Sequence, residues 1–202
     1  MPVLLAAVIG YLLGAIPTGM VVARVYRNVD LTVHGSGRTG ATNVLRTLGS
    51  GAAAVAFGGD FLKGVLAVAA VKFFIAPDNT WIEMVAAIAA VVGHSYSVFI
   101  RFKGGRGVVT GFGASLVAAP VLMLVAFAIG VALVLLTRYV SLGSVVGAIL
   151  GGLFLCGLAY AQAEPAWALW GVLVGGFIVV AHKDNIERLL AGKERKLGER
   201  AL

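Results

Sequence analysis

Charge is scarce in this chain. Only 12% of its residues are Asp, Glu, Lys or Arg, about half the share of an ordinary soluble domain. With 60% hydrophobic residues and a mean hydropathy of +0.98, the 202 residues read as one integral membrane unit, residues 1–202, with no room for a second soluble domain. Cysteine is nearly absent. Cys156 stands alone in an apolar run, which excludes an intrachain disulfide framework or a thiolate metal site. It reads as a small buried hydrophobe. No carboxylate or histidine cluster has metal spacing, and no Ser–His–Asp pattern occurs, so neither a metal nor a covalent mechanism is expected, and no cofactor. The opening MPVLLAAVIGYLLGAIPTGMVVA lacks a basic n-region and a cleavage site, so it is expected to remain as the first span. No inverted repeat is visible, which weighs against a transporter.

Apolar runs are abundant. Crossing a membrane takes about 20 apolar residues, and the candidates are Val3–Ala23, Gly51–Phe74, Trp81–Ile100, Val108–Thr137, Leu142–Gln162 and Pro165–Ala181. The fourth stretch holds 30 uncharged residues with Pro120 near its middle. As one helix it would be about 45 Å long against a core of roughly 30 Å. Charge arbitrates. If the stretch crosses twice, as two short helices of about 15 residues, then Arg24, Arg27, Arg38, Arg46, Arg101, Lys103, Arg106, Arg138 and the basic tail share one side. The positive-inside rule selects that arrangement. The expectation is an all-α membrane protein of seven transmembrane helices, the fourth and fifth broken near Pro120. Its N-terminus lies outside and its C-terminus in the cytoplasm. The net charge of +7 is assigned to topology and an anionic substrate, and nucleic acid is excluded because no exposed domain exists to bind it. Gly10-xxx-Gly14, Gly143-xxx-Gly147-xxx-Gly151 and Gly171-xxx-Gly175 have helix-packing spacing.

This topology gathers four loop clusters on one face. The first is HGSGRTGATNVLR, His34 to Arg46. It matches the dinucleotide fingerprint formally (Gly35, Gly37, Gly40), but no βαβ unit surrounds it. It nearly matches a P-loop, but Ala41 replaces the essential lysine. The shared physics still applies: glycine amides approach anions closely, and a following helix N-terminus favours negative charge. Thr42 or Asn43 is expected to cap that helix. Arg46 is then placed in its first turn, where a cation opposes the dipole unless an anion binds too. The second cluster is Lys103-Gly104-Gly105-Arg106, the third Arg138-Tyr139-Val140-Ser141. The fourth, HKDNIERLLAGKERKLGER, puts His182 and Asn185 on one helix face. Residues 182–202 read as a basic cytoplasmic tail lying on anionic lipid. Within the spans, Asp60 and Lys63 are spaced to neutralise each other, and His94 reads as an interhelical hydrogen-bonder.

The motifs GSGRTGATNVLRTLG, FKGGRGVVTGFG, RYVS and HKDNIERLLAGKE, in this order, resemble those of the bacterial membrane acyl-phosphate:glycerol-3-phosphate acyltransferase family, and the likeness covers essentially the whole chain. The resemblance implies a seven-helix enzyme of the bacterial inner membrane with its active site on the cytoplasmic face. It would move an acyl group from acyl phosphate to the 1-hydroxyl of glycerol 3-phosphate, giving lysophosphatidic acid and phosphate in the first step of phospholipid synthesis. The partners implied are glycerol 3-phosphate, a lipid-like acyl phosphate, the membrane and the soluble enzyme that makes acyl phosphate. The residues carried over are Ser36, Arg46, Arg106, Ser141, His182 and Asn185. The family usually reads KGGKG, so Arg106 replaces a lysine point charge with a fork. Arg46, Arg106 and Lys103 are expected to hold phosphates with Gly35, Gly37, Gly40, Thr42, Asn43, Gly104 and Gly105, and Ser36 and Ser141 to supply hydroxyls. His182 or a substrate phosphate takes the proton. A small-anion transporter is the rival reading.

Overall fold

The computed structural model describes residues 1–199, and every regular element among them is helical. The last three residues of the expected tail lie outside the described residues. Proline sets the first break. Pro17 offers no N–H and its ring clashes with the preceding turn. Helix α1 (Pro2–Ala15) therefore stops before it, and α2 (Thr18–Arg27) restarts beyond it. The two pieces together still form one candidate span, Pro2–Arg27, so the expected first span stands with a break at Pro17. The break frees the carbonyls of Ala15 and Ile16 from the regular helical ladder. Ser97 Oγ donates to Ala15 O at 2.5 Å and Lys63 Nζ to Ile16 O at 2.9 Å.

A loop then leads into α3 (Ala41–Leu48) and α4 (Ser50–Ala70), which continues through a π turn at Val71–Ile75. Asn79 caps α5 (Thr80–Ser95) by accepting from the amide of Ile82. Helix α1 packs so tightly on α5 that a Cβ on Gly14 would lie 2.1 Å from the carbonyl oxygen of Ala90. Pro120 makes the second break. It opens α7 (Pro120–Thr137) as a first-turn proline, and α6 (Val108–Ala118) ends two residues earlier, with Ala119 between them. The sequence predicts two pieces of similar length here. The observed lengths are 11 and 18 residues.

Helix α8 (Val140–Gln162) pairs with α7 through small residues, with Gly143 against the Gly130 carbonyl. Helix α9 (Pro165–Trp170), a π turn (Gly171–Gly175) and α10 (Gly176–Ala181) run back along it, with Gly171 against Gly152. Helix α11 (Lys183–Leu190) leaves at a 58° bend. Among the described residues five helices are long and apolar enough to cross a membrane, and a sixth qualifies if the bent pair is one span. Helix α6, at 11 residues and about 16 Å, is shorter than a bilayer core.

The core joins α4, α5, α6, α8 and α9 around Val68, Val91, Leu155 and the stacked Trp167 and Trp170. Trp170 is fully buried, and its indole N–H donates to Ser115 Oγ at 3.1 Å. Leu124, Leu135 and Leu136 stand exposed on α7 and Leu153 on α8, an outer surface suited to lipid.

Candidate active site

The site starts with a buried amide. Asn43, 2% exposed, fastens the loop before α3. Its Nδ2 donates to the carbonyls of Arg38 (2.8 Å) and His34 (3.0 Å), and its Oδ1 accepts from the amide of Ser36 (3.0 Å). A short polar side chain competes well for local backbone groups, so Asn43 shapes the loop. It does not cap the helix, and neither does Thr42. Gly40 occupies the cap position with no side-chain bond, and Ala41 and Thr42 line the adjacent cavity. Arg46 also differs from its expected place. It lies in the last turn of α3, where a cation complements the helix dipole. Burial, and then the charge of Arg195, pull its guanidinium below its ordinary value. A cation held in that setting favours a bound anion.

Arg106 follows the paired glycines at the mouth of α6. Its Nε donates to Ala181 O at 2.9 Å, and its Nη2 meets both carboxylate oxygens of Asp184 at 2.9 and 2.7 Å. Its Nη1 has no protein partner among the described residues. Burial works against ionisation of Asp184, but the bonds and charge of Arg106 hold its carboxyl below the usual range.

The C-terminal segment folds back over the site, and Glu194 is its keystone. One carboxylate oxygen accepts from Ser141 Oγ (2.9 Å) and Asn185 Nδ2 (2.6 Å), and the other from Arg188 Nε (2.7 Å). Burial again opposes the charge, and these donors keep Glu194 below its ordinary range. The expected interfacial tail is thus partly a site wall. Asp184, Arg188 and Glu194 pair inward because the chain turns back after α11, where Leu197 N donates to Arg138 O, while Lys183, Glu187, Lys193, Arg195 and Lys196 stay exposed. Asn185 Oδ1 is buried without a protein partner among the described residues. His182 Nδ1 lies 2.7 Å from Ile178 O. A carbonyl only accepts, so Nδ1 carries the proton and Nε2 is left with its lone pair. Burial pushes the imidazole down to about 4. Glu187, five residues beyond His182, is exposed.

These groups surround one cavity of about 340 Å³. Its mouth holds Ser36, Arg46, Arg106, Ser141, His182 and Asn185; its inner walls are Phe112, Phe127, Met123, Leu155 and the glycine faces of α7, α8 and the π turn at Gly171–Gly175. A smaller polar recess of about 160 Å³ adjoins it, bordered by Gly35, Ser36 and Asn185, by four arginines (Arg46, Arg106, Arg188, Arg195) and by the two carboxylates Asp184 and Glu194. Three expected phosphate contacts fall elsewhere. Lys103 is exposed and borders neither space, and Gly37 and Gly104 border neither. Gly37 (φ +69°) serves a turn. Gly104 serves close packing, since a Cβ there would meet His94 O at 2.0 Å. The sequence reading missed Asp184, Arg188 and Glu194. The only signal was their place in an otherwise interfacial-looking tail.

An apolar slot that ends among guanidinium, hydroxyl and amide groups defines a class: a polytopic membrane protein that brings a lipid chain and an anionic head to one place. Relatives narrow it. Residues 4–192 match the sequence model of the glycerol-3-phosphate acyltransferase family. The chain is 45% identical over 193 residues to a glycerol-3-phosphate acyltransferase of Thermus thermophilus, covering 95% of this chain and 94% of that protein. It is 42% identical over 196 residues to that of Thermoanaerobacter sp. strain X514, covering 97% and 96%. The crystal structure of PlsY, an integral membrane glycerol 3-phosphate acyltransferase, in its glycerol 3-phosphate form aligns with a TM-score of 0.89 at 38% identity, covering 98% of this chain and 96% of that one. Its lysophosphatidic acid form aligns at 0.86 and 37%, covering 98% and 97%. The chain belongs to the glycerol-3-phosphate acyltransferase family and is an integral membrane enzyme.

Proposed function

We propose that this enzyme transfers a fatty acyl group from acyl phosphate to the 1-hydroxyl of glycerol 3-phosphate, releasing lysophosphatidic acid and inorganic phosphate. One observation carries the reading: the apolar slot and the cationic recess meet at a shared mouth. The acyl chain lies along the glycine faces of α7 and α8. Glycerol 3-phosphate sits in the recess, where Arg46 and Arg106 Nη1 face two phosphates whose mutual repulsion they offset. The loop amides near Ser36 and the uncapped start of α3 add donors.

Acyl phosphate is already an activated mixed anhydride, so no enzyme nucleophile is required. The glycerol hydroxyl attacks the acyl carbon, the bond from that carbon to the phosphate oxygen breaks, and phosphate leaves with the electron pair. Asn185 Oδ1, buried and unpartnered among the described residues, accepts a hydrogen bond from the attacking glycerol and sets its direction. His182 Nε2 takes the proton, or a substrate phosphate oxygen does. The hydroxyl of Ser36 and the arginine donors meet the oxyanion that develops on the acyl oxygen, while Ser141, whose hydroxyl proton goes to Glu194, holds that carboxylate in place.

The membrane arrangement proposed with this reaction has seven crossings, α6 being a short one. The N-terminus is outside, and the active site faces the cytoplasm of a bacterial inner membrane. There a soluble acyl-phosphate-making enzyme delivers the donor.

Purified enzyme in liposomes, given acyl phosphate and labelled glycerol 3-phosphate, should form labelled lysophosphatidic acid with equimolar phosphate. Uptake of label without product would instead support a small-anion transporter. The Arg46→Ala variant should lose at least ~100-fold in activity, the scale of a lost preorganised donor. Full activity in that variant would sink the phosphate-clamp reading.

A further inference from the structure

Beneath the Gly104–Gly105 turn lies a buried polar cluster that the reaction above does not use. Asp60 and Lys63 of α4, His94 of α5 and Thr110 of α6 are each 6% exposed or less. Lys63 Nζ lies 2.8 Å from Asp60 Oδ1, and Thr18 Oγ1 donates to the same oxygen. His94 Nδ1 lies 3.4 Å from Asp60 Oδ1 and 3.2 Å from Thr110 Oγ1. Thr110 Oγ1 donates to Asp60 O at 3.0 Å, so it accepts from His94 Nδ1–H. The ring is thereby fixed from one edge. Its other edge meets the turn: a Cβ on Gly105 would come 2.2 Å from His94 Nε2. The main chain holds the same turn, because Gly105 N donates to His94 O at 3.3 Å and Gly104 N to Ser95 O at 3.0 Å. Arg106 is the next residue. Both Asp60 and His94 also border the large cavity.

Stability alone is a poor reason for such a cluster. A buried ion pair often contributes no more than apolar residues of the same volume would. What the cluster adds is a fixed direction for one ring.

We propose that His94 is a positioning residue, locked by Asp60 and Thr110, whose ring and carbonyl seat the Gly104–Gly105 turn and so set where Arg106 meets a substrate phosphate. The proposal rests on the reading of Arg106 as a phosphate ligand. It gives the otherwise unused charges of α4 a role in substrate affinity rather than in bond making.

The test compares Thr110→Val, Thr110→Ser, His94→Ala and Arg106→Ala by steady-state kinetics against both substrates. Thermal unfolding and amide exchange at residues 104–106 accompany it. Thr110→Val should raise KM for the substrate that Arg106→Ala also weakens, by about tenfold, with kcat within about threefold. Exchange at Gly104 and Gly105 should quicken, and Thr110→Ser should restore both. If His94→Ala does not fold, the threonine pair still decides. Wild-type KM and exchange in Thr110→Val, beside a defective Arg106→Ala, would overturn the proposal alone. Wild-type KM for both substrates in Arg106→Ala would overturn the phosphate reading and this proposal together.

Discussion

His182 is kept neutral by its place. In the unfolded chain it would take up a proton near its ordinary value of 6.5, whereas in the fold burial pushes it down to about 4. Between those values the unfolded state binds more protons, so stability falls as pH drops through that window and levels off below it. Asp184 and Glu194 are held below their ordinary ranges. Their stabilising contribution is therefore intact above about pH 5 and lost only in stronger acid. Wild-type protein in detergent should melt at a lower temperature at pH 5 than at pH 7, and His182→Gln should flatten that difference. An unchanged difference would assign the slope to other groups. Glu194→Gln should be costlier at any pH. It removes the closer of the two carboxylates on Arg188, leaving only Asp184 at 3.4 Å, and loosens Ser141 and Asn185 together. The expected loss is about 2–3 kcal/mol, read from denaturation midpoints, with most of the activity lost too.

At the scale of elements, glycines separate packing from pocket. Gly143 faces the carbonyl of Gly130, where a Cβ would sit at 2.3 Å, while Gly157 has nothing within 4 Å. Gly143→Ala should therefore lower the melting temperature and Gly157→Ala leave it nearly unchanged. Gly147 is different, since its nearest neighbour to a Cβ is Ala126 O at 3.5 Å and it borders the slot. Gly147→Leu should fold and partly fill the slot. The expected result is a KM for long-chain acyl phosphate raised about tenfold or more, with a short-chain donor much less affected. Equal effects on both chain lengths would place the acyl chain elsewhere. The sequence spacing of these glycines already indicated helix packing. It did not indicate which glycines touch a partner helix and which line a cavity, because that depends on the rotation of each helix.

For the whole molecule, the arrangement to be tested is seven crossings. A single-cysteine series on a Cys156→Ala background would decide it. Val121→Cys, at the exposed start of α7, should react with an impermeant thiol reagent added outside intact cells, and Lys103→Cys, before α6, only after the membrane is opened. Reaction of both from outside would remove the short crossing assigned to α6. Much of this plan was readable beforehand. The apolar runs and the clustering of arginines at their ends follow from the cost of charge in hydrocarbon, which acts on composition directly. The four motifs were readable too, and the structure brings Ser36, Arg46, Arg106, Ser141, His182 and Asn185 to one cavity mouth.

The sequence by itself determined membrane residence, helical class, the break at Pro120 and the residue types of the pocket. Each depends on local chemistry: hydropathy, a missing N–H, a side chain's donors. Only the tertiary structure decided which charges are engaged. Arg106 reaches Asp184 across 78 residues of sequence, and Ser141 reaches Glu194 across 53. His94 faces a turn that α5 and α6 build jointly. Such pairings are set by how helices rotate and dock, and no spacing along the chain encodes them.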